Sequence, residues 1–212
     1  MSRSAYEITR LAFADVVCYR QILDELRGQR RFRRMSYESS RVAITKFHRS
    51  EGDSTILEDS IADHRTIESD CSTKDDAVQP KNNAEVLELY LAHFASPFRA
   101  IAQEIPDEFE SYRYEVNGLT ITGKPHLIVK NKQDKLKFIY ILTSKDWGEK
   151  EKGFFIGLLG EIIAKNFTDA LPRDVEGLDC RTGTKVIRAG LGKQNWQRLE
   201  FIAEDLKRLG LS

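Results

Sequence analysis

Apolar residues recur at helical spacing at both ends of this chain and alternate in its middle. Ile8, Leu11, Tyr19, Ile22, Leu23 and Leu26 predict an N-terminal helix over 5–26, which Gly28 is suited to end. Val86, Leu87, Tyr90, Leu91, Phe94, Phe98 and Ile101 predict a second helix over 83–104, with Asn83 as its N-cap and a kink at Pro97. The period then changes from helical to alternating. Residues 109–116, 119–122, 126–130 and 137–143 read as consecutive strands. Asn117-Gly118 between the first two is a strong hairpin signal, and Asn131 to Asp134 supply a later turn. An apolar helix over 152–166 follows, whose Gly157 and Gly160 suit a close approach to a sheet. Two short strands at 175–180 and 184–189 flank Thr182-Gly183, and a helix over 194–209 closes the chain. The pattern predicts an α/β sandwich: a central mixed sheet flanked by helices and preceded by an N-terminal helical segment.

Charge divides the chain into three parts. The 212 residues carry 33 basic and 33 acidic side chains, so bulk positive charge is excluded as a means of holding nucleic acid. Residues 1–50 hold 11 basic and 5 acidic side chains, whereas 51–80 hold 2 and 9. The acidic stretch is rich in Ser, Thr and Asp and poor in aromatics. It therefore reads as a flexible linker or long loop, with one helical turn near Ile56–Ile61. This gives a basic helical segment at 1–50, the acidic linker at 51–80 and an α/β domain over 81–212. Apolar residues make up 41%, enough for a core that needs neither disulfide nor metal. No apolar run approaches the roughly 18 residues of a membrane span, so no membrane partner is expected. Asp15 interrupts the first apolar run, and no signal peptide is expected. Cys18, Cys71 and Cys180 lie far apart, as reduced intracellular thiols do, which points to cytoplasm or nucleus.

The stretch from Gly123 to Lys145 carries a resemblance. Gly123-Lys124-Pro125-His126-Leu127-Ile128-Val129 stands where a G-x-P-D motif and its apolar strand would stand. Phe138-Ile139-Tyr140-Ile141-Leu142-Thr143-Ser144-Lys145 stands where a strand ending in D/E-x-K would stand. The helix Gly153 to Asn166, with Gly160-Glu161, is similar to the one that follows that strand. Over roughly 83–190 the chain resembles the RecB-type branch of the PD-(D/E)XK phosphodiesterases. The resemblance implies a restriction-endonuclease-like sandwich. It also implies a site where carboxylates hold one or two Mg²⁺ ions that activate water. At the positions it marks, the first acid is His126, the second is Tyr140 and the lysine is Leu142. Glu85 or Glu88 would match the acid that some members carry on the preceding helix. Magnesium needs anionic oxygen ligands, so these replacements imply a degenerate site and no cofactor. Mg²⁺ is implied only if displaced acids rebuild a working nuclease.

The residues themselves allow plainer roles. His126 after Pro125 reads as a surface or part-buried strand residue, and Tyr140 alternates with Phe138 and Leu142 as a packed sheet position. Glu161, inside an apolar helix, either meets a basic group or marks the exposed side. Lys145, Lys150 and Lys152 cluster near Trp147 as a candidate phosphate-contacting loop or a solvated one. Arg27-Gly-Gln-Arg30-Arg31-Phe32-Arg33-Arg34 holds five arginines in eight residues with one aromatic among them. That composition suits phosphate contact and stacking, import into a nucleus, docking on an acidic partner, or folding back onto 51–80. Arg30, Arg31, Arg33, Arg34 and Lys145 are thus the candidate contacts to DNA or RNA. The expectation is a non-catalytic nuclease-fold module that binds nucleic acid or is a structural subunit of a nucleic-acid-handling complex with a protein partner. An active metal-dependent nuclease and a pure protein-interaction adaptor are the alternatives, and the balance leans away from an enzyme.

Overall fold

The structure is a computed structural model that describes residues 2–28, 37–96, 102–104, 112–130, 135–144, 146–188 and 190–211. A short strand β1 (Ser2–Ser4) leads into α1 (Ala5–Phe13). A capping box starts α1: Glu7 N–H donates to Ser4 Oγ, and Ser4 N–H donates to the Glu7 carboxylate at 2.9 Å. The helix expected over 5–26 is two helices. Asp15 takes an extended conformation, accepts the Cys18 N–H at 2.7 Å and so caps α2 (Val16–Leu26).

The acidic segment is helical, not a loop. After α3 (Glu38–Arg49) come α4 (Thr55–Asp70) and α5 (Lys74–Tyr90), with a π turn continuing over Leu91–Ala95. One apolar stripe suffices to seat α4. Leu57 is fully buried with Val86, Leu87 and Tyr90 of α5, while most of the carboxylates point outward. Arg65 offsets some of the repulsion by donating to Glu68 at 2.7 Å and to Glu88 at 2.8 Å. Thr73 caps α5 by accepting the Asp76 N–H. Asn83 therefore sits inside a helix instead of starting one. Its Oδ1 accepts the Ser40 N–H at 3.1 Å, which supplies to α3 the cap that Tyr37 does not. Residues 102–104, expected to end that helix, form strand β2 (Ala102–Glu104); Pro97 lies outside the described residues.

The strands form two sheets, not one. β3 (Tyr112–Val116) and β4 (Leu119–Gly123) make the expected hairpin through Asn117 and Gly118, at φ 50° and 82°. β1 joins β4 in parallel, giving the order β1-β4-β3. The chain then leaves this sheet at Lys124-Pro125, where proline has no N–H to continue a ladder. The second sheet has the order β2-β5-β6-β7-β8, with β5 (Leu127–Lys130), β6 (Leu136–Leu142), β7 (Val175–Asp179) and β8 (Thr184–Ile187). β5 runs antiparallel to β6, with Leu127 opposite Ile139. β6 runs parallel to β7, with Leu142 opposite Asp179. The crossover between them is α6 (Glu149–Asn166), and α7 (Lys193–Arg208) follows β8.

Alternation along β6 assigns its two faces. Phe138, Tyr140 and Leu142 pack with Phe154, Ile156 and Leu159 of α6, and the same core takes in α1, α7 and β4. Ile139 and Ile141 pack with Ile44 and Phe47 of α3 and with Leu87 and Tyr90 of α5. The glycines of α6 serve closeness to loops. A Cβ at Gly157 would lie 3.0 Å from the Gly190 carbonyl, and one at Gly160 would lie 2.8 Å from that of Pro172. The close approach to the sheet is made instead by Gly177 of β7, against Ile156. Among the described residues no helix is long and apolar enough to cross a membrane.

Candidate functional site

His126 stands where β4 and β5 part. Its backbone N–H donates to the Ile139 carbonyl at 2.8 Å. Its side chain then takes the place of a missing strand neighbour, because the Ile141 N–H donates to His126 Nδ1 at 2.8 Å. The imidazole thus closes the end of the β5–β6 ladder. Burial pushes its pKa down to about 3, and the charges of Arg41 and Lys124 add to that shift. A neutral ring with Nδ1 accepting carries its proton on Nε2.

Tyr140 lies beside it, with ring centres 5.8 Å apart, and meets Phe155 edge-on. Its hydroxyl is buried and has no hydrogen-bond partner among the described residues. Burial first, and Tyr112 second, push that phenol well above its ordinary pKa. Leu142 is a buried core residue of the same face. Glu85 belongs to the other face: α5 packs against Ile139 and Ile141, and the Glu85 carboxylate accepts from Arg181 at 2.9 Å. The structure therefore brings His126 and Tyr140 together, while Glu85 pairs with Arg181. The positions marked by the resemblance offer one imidazole, one phenol and one isobutyl group. That donor set does not suit Mg²⁺, and among the described residues no cluster of three or more metal-ligating side chains occurs.

Among the described residues, the lysines after β6 do not form one cluster. Lys150 is exposed, Lys152 is buried, and Lys145 lies outside the described residues, as do Arg30, Arg31, Arg33 and Arg34. Lys152 donates to Asp179 at 2.6 Å, and the Asp179 side chain has no exposed surface. Asp179 also accepts from Thr182 Oγ1 at 2.7 Å and from the Arg181 N–H at 2.9 Å. Burial raises the Asp179 pKa, but Lys152, Thr182 and the Arg181 N–H outweigh it and hold the carboxyl below its usual range. Arg181 spans the end of the sheet, donating to the Thr143 carbonyl, to Glu85 and to the Tyr37 hydroxyl. This network was not foreseen, although Asp179 two residues before Arg181 carries the signal of an Asx turn. Glu161, read as a contact to a basic group or an exposed marker, accepts the Leu191 N–H at 3.1 Å.

Compared with family models, curated proteins and solved structures, the chain matches none.

Proposed function

We propose that this chain is a non-catalytic module of restriction-endonuclease-like type that binds nucleic acid, alone or as a structural subunit of a nucleic-acid-handling complex. The observation that carries the reading is the fate of the marked positions. His126 Nδ1 is engaged by the Ile141 N–H, and Tyr140 and Leu142 are packed into the core. The antiparallel β5–β6 pair and the helix α6 that follows it support the reading, because the resemblance implies an apolar strand, a turn, a second apolar strand and then a helix. Arg30, Arg31, Arg33, Arg34 and Lys145 remain the proposed phosphate contacts. The proposed setting is intracellular.

The test uses purified full-length chain with plasmid, single-stranded DNA and RNA. Incubation with Mg²⁺ or Mn²⁺ is expected to give no cleavage. Gel shifts are expected to weaken with salt, by a log–log slope of about −0.9 per phosphate contact on duplex DNA. Joint replacement of Arg30, Arg31, Arg33 and Arg34 by alanine should flatten that slope. Metal-dependent cleavage that disappears in Glu85→Ala or His126→Ala would restore the nuclease reading.

A second reading, docking on a protein partner, is favoured by one observation. Val16 and Val17 of α2 are 73% and 65% exposed, and Phe201 of α7 is 64% exposed. The Tyr19 hydroxyl donates to Asp205 at 2.9 Å and so ties these two helices side by side. Absence of any gel shift at low salt moves the proposal to this reading.

A further inference from the structure

We propose that the outer face of α7 around Phe201 is where a second copy of this chain docks, in an antiparallel two-fold pairing. This names the occupant of the apolar face noted above and stands apart from the nucleic-acid reading. The first observation is that the face is uncovered. Leu199, Ile202, Ala203 and Leu206 of α7 are buried in the core that α7 shares with α6, which turns Phe201 outward with 64% of its surface exposed. Val16 and Val17 of α2 are exposed as well. Two contacts hold that part of the chain against α7. The Arg198 guanidinium lies over the Phe13 ring, 4.5 Å from its centre, and the Tyr19 hydroxyl donates to Asp205 at 2.9 Å. Phe13 and Tyr19 bracket the two valines along the chain, as Arg198 and Asp205 bracket Phe201. The exposed apolar side chains therefore belong to one surface, and a grouped apolar surface marks a docking site where scattered residues do not.

The second observation is the order of the charges, and it decides the occupant. Arg198 stands three residues before Phe201 and Glu204 three residues after it, so at helical spacing the three share a face. Both charged residues are exposed, and among the described residues neither has an ion-pair partner. The face thus carries a cation at one end and an anion at the other. A partner of one sign would be repelled at one of those ends. The same face turned by a two-fold axis through Phe201 brings Glu204 of the second copy to Arg198 and Arg198 of the second copy to Glu204, with the phenyl rings meeting between them. Each contact is then made twice. The whole chain does not oppose this approach, because its 33 basic and 33 acidic side chains leave no net charge to hold two copies apart. A face of this size gives a weak pairing that depends on concentration.

The experiment is sedimentation equilibrium on the full-length chain, loaded over about 1 to 100 µM. The expected result is a monomer that passes into a dimer within that range. Phe201→Ser, a change at an exposed residue, should weaken the pairing at least about tenfold and leave the circular dichroism unchanged. Arg198→Glu and Glu204→Arg should each weaken it about tenfold, because each sets like charges against one another twice. Mixing these two single variants should restore dimers, since every meeting pair is then of opposite sign. Joining both changes in one chain should do the same. A chain that stays monomeric at every concentration overturns the proposal and leaves a different protein as the occupant of the face. A dimer that Phe201→Ser leaves intact, or single variants that do not recover on mixing, also overturn it. Gel shifts on the same samples keep the readings apart: a monomer that shifts DNA overturns this proposal alone, and a dimer that shifts none supports it while the nucleic-acid reading fails.

Discussion

Lys152 Nζ lies 2.6 Å from a carboxylate oxygen of Asp179, and neither side chain has more than 7% of its surface exposed. The pair joins the first turn of α6 to the end of β7, beside the ladder that His126 closes. A buried ion pair contributes little relative to a well-packed apolar pair, but removing one partner strands the other charge. Lys152→Met is expected to cost about 3–5 kcal/mol in urea unfolding. Adding Asp179→Asn, which removes the stranded charge and keeps an acceptor for the Arg181 N–H, should recover part of that loss. A double variant less stable than Lys152→Met alone would show that the Asp179 charge is held by other groups.

Two desolvated histidines, His48 and His126, make the fold acid-sensitive. Burial pushes His48 down to about 4 and His126 to about 3, against about 6.5 in the unfolded chain. Between these values the unfolded state binds more protons, so stability rises with pH. Their contribution is complete above about pH 6.5 and declines as the pH falls through the folded values. Asp179 acts in the same direction lower down: its pKa is held below the usual range, so its stabilisation is present above about pH 4 and fades as the carboxyl is protonated. Unfolding free energies from urea titrations between pH 7 and pH 4 should fall steadily, by up to about 3 kcal/mol from His48, and the midpoints with them. His48→Phe should flatten that fall, although it gives up the 2.6 Å hydrogen bond to Tyr90. A midpoint independent of pH over this window contradicts the assignment.

Among the described residues the Tyr140 hydroxyl has no partner, in a part of the core near Leu159 and Ile162. Tyr140→Phe removes a desolvated polar group and keeps the ring. The expected effect is a gain of up to about 1 kcal/mol, read as a higher thermal midpoint. A loss of similar size would mean that the hydroxyl is hydrogen-bonded in solution.

Asn83 caps a helix other than its own. Asn83→Ala should cost about 1–2 kcal/mol by leaving the Ser40 N–H without an acceptor. Hydrogen exchange should quicken first in the opening turn of α3, ahead of α5. Uniform quickening in α5 alone would point instead to its lost hydrogen bond to the Gln79 carbonyl.

Local chemistry determined much of this protein's fold. Asn117-Gly118 specifies its hairpin because both positions need positive φ. The alternation from Phe138 to Leu142 specifies a strand buried on both faces, and the apolar run from Gly153 to Asn166 specifies the helix that crosses back. Carboxylates were already missing from the marked positions in the sequence. What tertiary structure decided is where weak local signals were resolved by packing. The acidic segment became α4 and α5 because Leu57, Val86 and Tyr90 found a sheet face to cover, which no count of its charges reveals. The strands divided into two sheets because a proline at 125 interrupts hydrogen bonding between β4 and β5, while β1 arrives from the far end of the chain to pair with β4. His126 became a ladder partner, Glu85 an ion-pair partner of Arg181, and Lys152 a buried one of Asp179. Each of those roles depends on a residue at least 15 positions away, so only the folded chain could bring the partners together.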